Sequence, residues 1–329
     1  MPRDLEALRR ALRTHLPGGE KISAIRPLAH GFSNATYVLE GTGSILRMPP
    51  ENESLLPPYD MARQYDIYRR VGAVLGGPPV PRVSHLCEDL AIAGVPFYLM
   101  ERLPGETFDR HTMPAWLTSD PSAFDAFCRA WVDLFVAVHR MPPDTLAGPR
   151  RTSASEAEAW LATARREQAP PLIIDVLAAL AADPPADTGP PAPVHGDPNL
   201  TNVLWDGPRV TGLLDWELSG IGEPFSDIAF LLAFFRDEGE PESWGIDGPG
   251  CWSKPRIVSH WEERMGRTVR SWRRHELLAM ARLATILRIG DNLAASQARA
   301  EDRLSNLAAR LPSYLDRLER RWSKRLLDA

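Results

Sequence analysis

Two short apolar runs, Val203–Trp205 and Val210–Leu214, flank the turn-forming Asp206-Gly207-Pro208, and this predicted hairpin constrains the chain more than any other stretch. A hairpin returns its second end to the start of its first strand. Asp215, just past the second run, is thereby carried back to the loop before the first, where Asp197 and Asn202 stand. The expectation is one point at which two carboxylates and an amide converge. A single Asp or Asn beside a Gly-Pro turn would be ordinary turn chemistry. Three together suit phosphoryl transfer, where the protein has to place an attacking hydroxyl and neutralise phosphate charge. Magnesium takes hard oxygen ligands, and a carboxylate, an amide oxygen, water and phosphate oxygens suit it.

Length and composition set the frame around this stretch. A chain of 329 residues has room for about two domains, each with its own core. Its net charge of -5 carries no nucleic-acid signature. Residues 1–16 alternate charged and apolar positions at helical spacing, which is neither a signal peptide nor a membrane span. The apolar run Ile228–Phe235 is far short of the roughly 20 residues a bilayer requires. Cys87, Cys128 and Cys251 are isolated thiols without Cys-x-x-Cys spacing, which argues against a disulfide framework or structural zinc and fits a reducing cytoplasm. No protein partner is evident.

Taken in order, the chain predicts a short amphipathic helix over 4–16, with Leu5, Leu8, Leu12 and Leu16 on one side, and then three β-rich runs, Ile22–Leu28, Thr36–Leu39 and Ile45–Met48. The small residues between the first two runs, Ala29 to Ala35, read by themselves as a plain hairpin turn. A helical stripe at Met61, Tyr65, Tyr68 and Val71 follows, then strands over 83–86 and 95–101. Beyond Leu103-Pro104-Gly105 the pattern is helical: 123–139 with His139 at its end, 153–168, 171–182, and stretches near 256–264, 269–289 and 299–326. Asp227 opens another helix, where N-capping accounts for it. Residues 236–255, rich in Gly, Pro and acid, form a loop suited to bordering an acceptor site.

Asp-x-x-x-x-Asn with a downstream Asp is the spacing of kinase catalytic and metal loops. His195-Gly196-Asp197-x-x-x-x-Asn202 with Asp215-Trp216-Glu217 resembles the corresponding motifs of the aminoglycoside phosphotransferase and choline kinase family, which shares the protein kinase fold. The resemblance implies an α+β, two-lobed fold: a small antiparallel-sheet lobe over 1–101 for nucleotide and a larger, mainly helical lobe over 102–329 for catalysis and acceptor. It implies that Asp197 is the catalytic base, that Asn202 and Asp215 bind Mg2+, and that His195 is structural. Gly31-Phe32-Ser33-Asn34-Ala35-Thr36-Tyr37 resembles the family's Gly-x-Ser-Asn-x-Thr-Tyr nucleotide loop, in which Gly31, Phe32, Ser33 and Asn34 would lie against ATP or GTP. Backbone groups near Glu101 and Leu103 would meet the base of the nucleotide.

Two positions depart from the family pattern. The strand cation that grips the phosphates is ordinarily Lys, but the lysines here are at 21, 254 and 324 only, and Arg47 stands in that place. Arginine keeps its charge when part-buried and offers a fork to phosphate oxygens. The helix residue that would pair with it is ordinarily Glu, and this chain has Gln64; an amide can accept from Arg47 without supplying charge, or Asp60 can substitute from one turn earlier.

The acceptor is then a small-molecule hydroxyl. Arginines outnumber acids after residue 263, with Arg264, Arg282, Arg317 and Arg321 among them, mostly expected as solvated helix faces. That balance favours a neutral or anionic alcohol over a polycationic aminoglycoside or other antibiotic. Arg47, Cys87-Glu88-Asp89 and the Leu56-Pro57 to Gln64 segment are most similar to phosphotransferase domains related to those fused to acyl-CoA dehydrogenases, which implies a hydroxyacyl-CoA acceptor. Gln64 keeps a catalytically idle, nucleotide-binding pseudokinase as the rival. A protein kinase ranks low, because no Ala-Pro-Glu follows Asp215.

Overall fold

The β-rich runs of the first hundred residues pair into one antiparallel sheet in the order β1-β2-β3-β5-β4, formed by Ala24–Pro27 (β1), Ala35–Glu40 (β2), Ser44–Met48 (β3), Val83–Cys87 (β4) and Phe97–Glu101 (β5). The computed structural model describes residues 3–28, 34–51, 60–241, 245–296 and 309–325. It divides into two compact units, one of residues up to 73 with 80–104, the other of 74–79 with everything from 105 on. The predicted loop residues Gly31, Phe32 and Ser33 lie outside the described residues.

In the first unit the period of two decides which side chain faces what. Tyr37 and Leu39, Leu46 and Met48, and Phe97 join one core with Leu8, Leu12 and Leu16 at the first helix, Leu5–His15 (α1). The alternate set, Thr36, Arg47 and Tyr98, belongs to the other face. There Tyr98 lies 6.3 Å from the rings of both Tyr65 and Tyr68 on the helix Met61–Gly72 (α2). Thr36 and Arg47 are direct cross-strand partners. The first helix starts where Asp4 accepts from the N–H groups of Glu6 and Ala7, and α2 where Asp60 accepts from Arg63. Asp60 is thus a helix cap, and no substitute for the missing Glu. The buried stripe of α2 is Met61, Gln64, Ile67, Tyr68 and Val71, so Gln64 turns inward where Tyr65 was expected. A short helix, Leu90–Ala93 (α3), joins β4 to β5.

The second unit is helical around two small sheets. Ala115–Thr118 (α4) leads into Pro121–His139 (α5), whose Phe127 and Trp131 stack in an aromatic cluster with Phe108, Trp205 and Phe235. A second core gathers Ala157 and Ala164 of Ser153–Arg166 (α6), Ile173 and Leu177 of Pro171–Ala182 (α7), Met280 and Ala284 of Trp272–Ser296 (α10), and Leu318 of Leu311–Arg325 (α11). Among the described residues, Phe225–Leu232 (α8) and Lys254–Met265 (α9) complete the α-helices. The small sheets are antiparallel pairs: Ala192–Val194 (β6) with Gly220–Gly222 (β9), and Val203–Asp206 (β7) with Arg209–Leu213 (β8). Among the described residues no helix is long and apolar enough to cross a membrane.

Candidate active site

The site starts from the hairpin. Strands β7 and β8 pair from Val203↔Leu213 to Asp206↔Arg209, with a bulge at Leu204/Trp205, and Gly207 takes the positive φ that the tight turn demands. At its open end Leu214 N–H donates to the Asn202 carbonyl at 2.8 Å. The residue after Leu214 is Asp215, in the left-handed region at φ 65°. Non-glycine residues adopt that backbone infrequently, and Asp tolerates it better than most. Directly after it, Trp216 is buried and its indole N–H donates to the Leu213 carbonyl at 3.1 Å, which fixes the turn on that side.

Between β6 and β7 runs the loop that holds Asp197. Asn199 caps a single 3-10 turn, Leu200–Asn202, and Asn202 Nδ2 donates to Asp197 Oδ2 at 2.8 Å and to the Asp197 carbonyl at 3.2 Å. With the amide nitrogen so committed, Asn202 Oδ1 is the atom left to ligate a hard cation. His195 ties the two halves together. Its Nδ1 accepts from Asp197 N–H at 3.2 Å and its Nε2 meets the Leu214 carbonyl at 2.9 Å. A backbone N–H only donates and a carbonyl only accepts, so the ring is the neutral Nε2–H tautomer. Burial pushes its pKa down in the same sense. Gly196 has φ 86°, and a Cβ there would sit 2.5 Å from the Leu218 carbonyl oxygen, so the loop has room for glycine alone.

Asp227 holds this loop from below. It is the third residue of α8 and not its N-cap: Oδ2 accepts from His195 N–H and Oδ1 from Gly196 N–H, each at 2.8 Å. His139 at the end of α5 adds a third bond, Nε2 to Asp227 Oδ2 at 3.1 Å, while its Nδ1 accepts from Trp261 Nε1–H at 3.1 Å. An indole only donates, so His139 carries its proton on Nε2 and donates to Asp227. Burial works to raise the Asp227 pKa, but the hydrogen bond from His139, with that of the His195 N–H added to it, outweighs burial and holds the carboxyl below its ordinary value. Asp197 moves the other way, up to about 6: burial raises it most, the Asp215 charge next, against Arg282 and the Asn202 hydrogen bond.

The first unit holds the remaining predicted residues. Arg47 is buried and donates from Nη1 to Thr36 Oγ1 at 2.8 Å. Gln64 Oε1 accepts from Asn34 Nδ2 at 3.2 Å and from the Tyr98 hydroxyl at 3.3 Å, not from Arg47 as the sequence pattern implied. Glu101 ends β5 with its carboxylate on Arg82 at 3.2 Å, and Leu103 is half-buried just after it. Asp197, Asn202 and Asp215 therefore converge in one unit, and Asn34, Arg47 and Gln64 sit together in the other.

Sequence reasoning missed Arg282. Its Nη2 donates to the Gly196 carbonyl from 86 residues downstream, on α10. Arg317 and Arg321, expected on solvated faces, are also buried. Among the described residues no group of three or more His, Cys, Asp or Glu is placed to hold a metal. The donor set here is an amide oxygen and a carboxylate, which fits Mg2+ completed by phosphate oxygens and water, since Mg2+ keeps few protein ligands.

The family model for the phosphotransferase enzyme family matches residues 24–245. The chain is 29% identical over 224 residues to acyl-CoA dehydrogenase family member 10 of Mus musculus, covering 64% of this chain and 20% of that protein. It is 26% identical over 247 residues to family member 11 of Rattus norvegicus, covering 70% of this chain and 31% of that one. The chain thus spans a fifth to a third of the length of these relatives. Among solved structures, a candidate aminoglycoside phosphotransferase of Ralstonia eutropha superposes with a TM-score of 0.76 at 21% identity, over 98% of this chain and 99% of that one. A thermostable mutant of aminoglycoside phosphotransferase APH(4)-Ia, in ternary complex with AMP-PNP and hygromycin B, superposes at 0.57 with 18% identity, over 96% and 98%.

Proposed function

The chain belongs to the phosphotransferase enzyme family, and from that premise we propose that it moves the γ-phosphoryl group of ATP or GTP, with magnesium, to a hydroxyl of a small molecule. The observation that carries this is the clasp at the hairpin's open end: Asn202 bonds Asp197 through its side chain and receives Leu214 N–H on its backbone, next to Asp215. In this reading Asp197 accepts the acceptor's hydroxyl proton and orients its lone pair toward the phosphorus. Its raised pKa gives it basicity while leaving it ionised at neutral pH. Asn202 Oδ1 and Asp215 would hold the magnesium, which supplies charge neutralisation on the phosphates. Arg47 would grip the phosphates, with Thr36 steering its guanidinium. Gly31, Phe32, Ser33 and Asn34 would cover the nucleotide, and the backbone near Glu101 and Leu103 would meet its base. The AMP-PNP bound by the structural neighbour supports an adenine nucleotide.

The acceptor reading favours a neutral or anionic alcohol. A hydroxyacyl-CoA accords with relatives that carry acyl-CoA dehydrogenase names, while an antibiotic accords with the structural neighbours. The idle-module alternative keeps its motive, because the Gln64 oxygen is engaged by Asn34 and Tyr98 and brings no carboxylate to the place where the family pattern pairs one with the strand cation; a metal-dependent phosphate-transfer assay separates the two readings.

Replacing Asp197 with Ala tests the mechanism. Turnover with an accepted alcohol falls by about 100-fold or more, the usual weight of a general base, while ATP affinity measured by calorimetry stays within about two-fold. Equal turnover in the variant removes this assignment.

A further inference from the structure

Gly196 meets two requirements that pull against each other. The Leu218 carbonyl oxygen leaves no room for a Cβ, so the position takes glycine, at φ 86°. Glycine is also the residue that least restricts the backbone on either side of its Cα. The peptide unit that follows, from the Gly196 carbonyl to the Asp197 N–H, sets the direction in which the Asp197 side chain leaves the chain. A loop that has to aim one carboxylate therefore has its loosest joint directly before it.

Arg282 closes that joint. A peptide unit is a rigid plane, and this one is held at both edges: the Asp197 N–H donates to His195 Nδ1 at 3.2 Å, and Arg282 Nη2 donates to the Gly196 carbonyl. Turning the plane over breaks both bonds together. The Gly196 N–H, in the preceding unit, is fixed separately on Asp227 Oδ1. Arg282 is itself braced, with its guanidinium carbon 5.3 Å from the Trp160 ring on α6 and 5.4 Å from the Phe230 ring on α8. Side chains of α6, α8 and α10 thus meet at one carbonyl. Burial pulls the Arg282 pKa down, and the charges of Glu156, Asp197 and Asp227 work against that pull.

We propose that Arg282 is a positioning residue for phosphoryl transfer: by holding the Gly196 carbonyl it locks the peptide plane that aims Asp197 at the acceptor hydroxyl. The aim matters through the phosphotransferase reading, on which the proposal rests, whereas the lock belongs to the loop alone. A reacting group displaced by about 1 Å costs on the order of 100-fold in rate. The loss then falls on kcat, since neither nucleotide nor acceptor has to be bound through Arg282.

The test compares the full chain with Arg282→Met, with Asp197→Ala and with the two changes combined, reading turnover of an accepted alcohol beside hydrogen exchange at the amides of 196 and 197. In Arg282→Met kcat falls about 10- to 100-fold, while KM for the alcohol and calorimetric affinity for ADP stay within about two-fold. The Gly196 and Asp197 amides exchange about ten-fold or more faster. In the Asp197→Ala background the Arg282→Met change costs less than about two-fold further, because an arginine acting through Asp197 has nothing left to aim. Unchanged kcat, a loss that multiplies in full onto that of Asp197→Ala, or a fall in melting temperature with both amides still protected overturns the proposal. Should Arg282→Met fail to fold, Arg282→Gln, uncharged and too short for the bond, takes its place with the same expected losses. If no hydroxyl compound draws ADP release from the wild type while exchange at 196 and 197 rises in the variant, phosphoryl transfer fails and the lock stands.

Discussion

Asp227 is one carboxylate serving three donors, His195 N–H, Gly196 N–H and His139 Nε2–H, in a place without solvent. Asn in its place offers one acceptor oxygen and turns an NH2 group on the other donors. Asp227→Asn therefore loses about 2–4 kcal/mol, from hydrogen bonds to a charged group and donors left unmet. The pH dependence has a definite sign. The folded pKa is depressed below the ordinary 3.8, so the carboxylate's contribution is complete above that value and is lost as pH falls through the folded pKa. Melting temperatures of wild type and variant are thus well separated at neutral pH and converge below about pH 4; a gap that stays constant into acid refutes the linkage. At this scale the sequence was readable where the contacts are local. The meeting of Asp197 and Asn202 beside Asp215 follows from spacing across one turn. His139 and Arg282 do not, because each acts through a contact with a residue 86 to 88 positions away, and a helix-end His or a helix Arg carries no local mark of that. Asp227 was visible as a helix-opening acid, but its acceptance of loop N–H groups was not.

Among the elements, the hairpin was legible because turn chemistry and apolar alternation agree over β7 and β8. Helices α5, α6 and α7 begin and end within about two residues of the periodic pattern, as capping and Pro signals permit. The face of α2 was misjudged at one position: a buried Gln reads as polar, yet Gln64 is inside because Asn34 and Tyr98 satisfy it. The last helix was legible as a helix and not as a clamp. Arg321 pairs with Glu240 at 3.1 Å, with Asp237 at 3.4 Å and with Glu276, while Arg317 Nη2 donates to the Ala233 carbonyl at 2.8 Å. Lys254 joins the same group, 2.8 Å from both Asp237 and Glu276. Arg321→Met leaves those acids with less positive charge in a buried setting, at a cost of about 3–5 kcal/mol. The expected fall in melting temperature is about 6–20 °C, read by calorimetry; a shift under 2 °C, less than about one kcal/mol would give, would show the network to be marginal.

For the whole molecule, family membership and an α+β fold of two units rest on the sheet, the helices and the match over 24–245. A ligand that binds only the folded chain stabilises it by mass action, by about 2.7 kcal/mol at 100 times its dissociation constant. ATP with magnesium should therefore raise the melting temperature by several degrees, and EDTA should cancel most of the rise, since Asn202 and Asp215 alone give the phosphates no positive charge. A shift indifferent to EDTA would count against the metal role of those two residues. The boundary between units was the least legible property of the chain. A change of composition marks one crossing near Pro104, but no residue type or spacing within 74–79 ties that stretch to the unit that resumes at 105. It is attached there by a backbone bond, Leu213 N–H to the Pro79 carbonyl at 2.7 Å.

That excursion bears on how such proteins can be recombined. Because the polypeptide crosses between units after 73, after 79 and after 104, a chimera spliced once at 104 inherits a foreign 74–79 beside its own β8. Exchanging one unit whole between relatives takes three junctions, and libraries built on a single breakpoint will be poor in folded members.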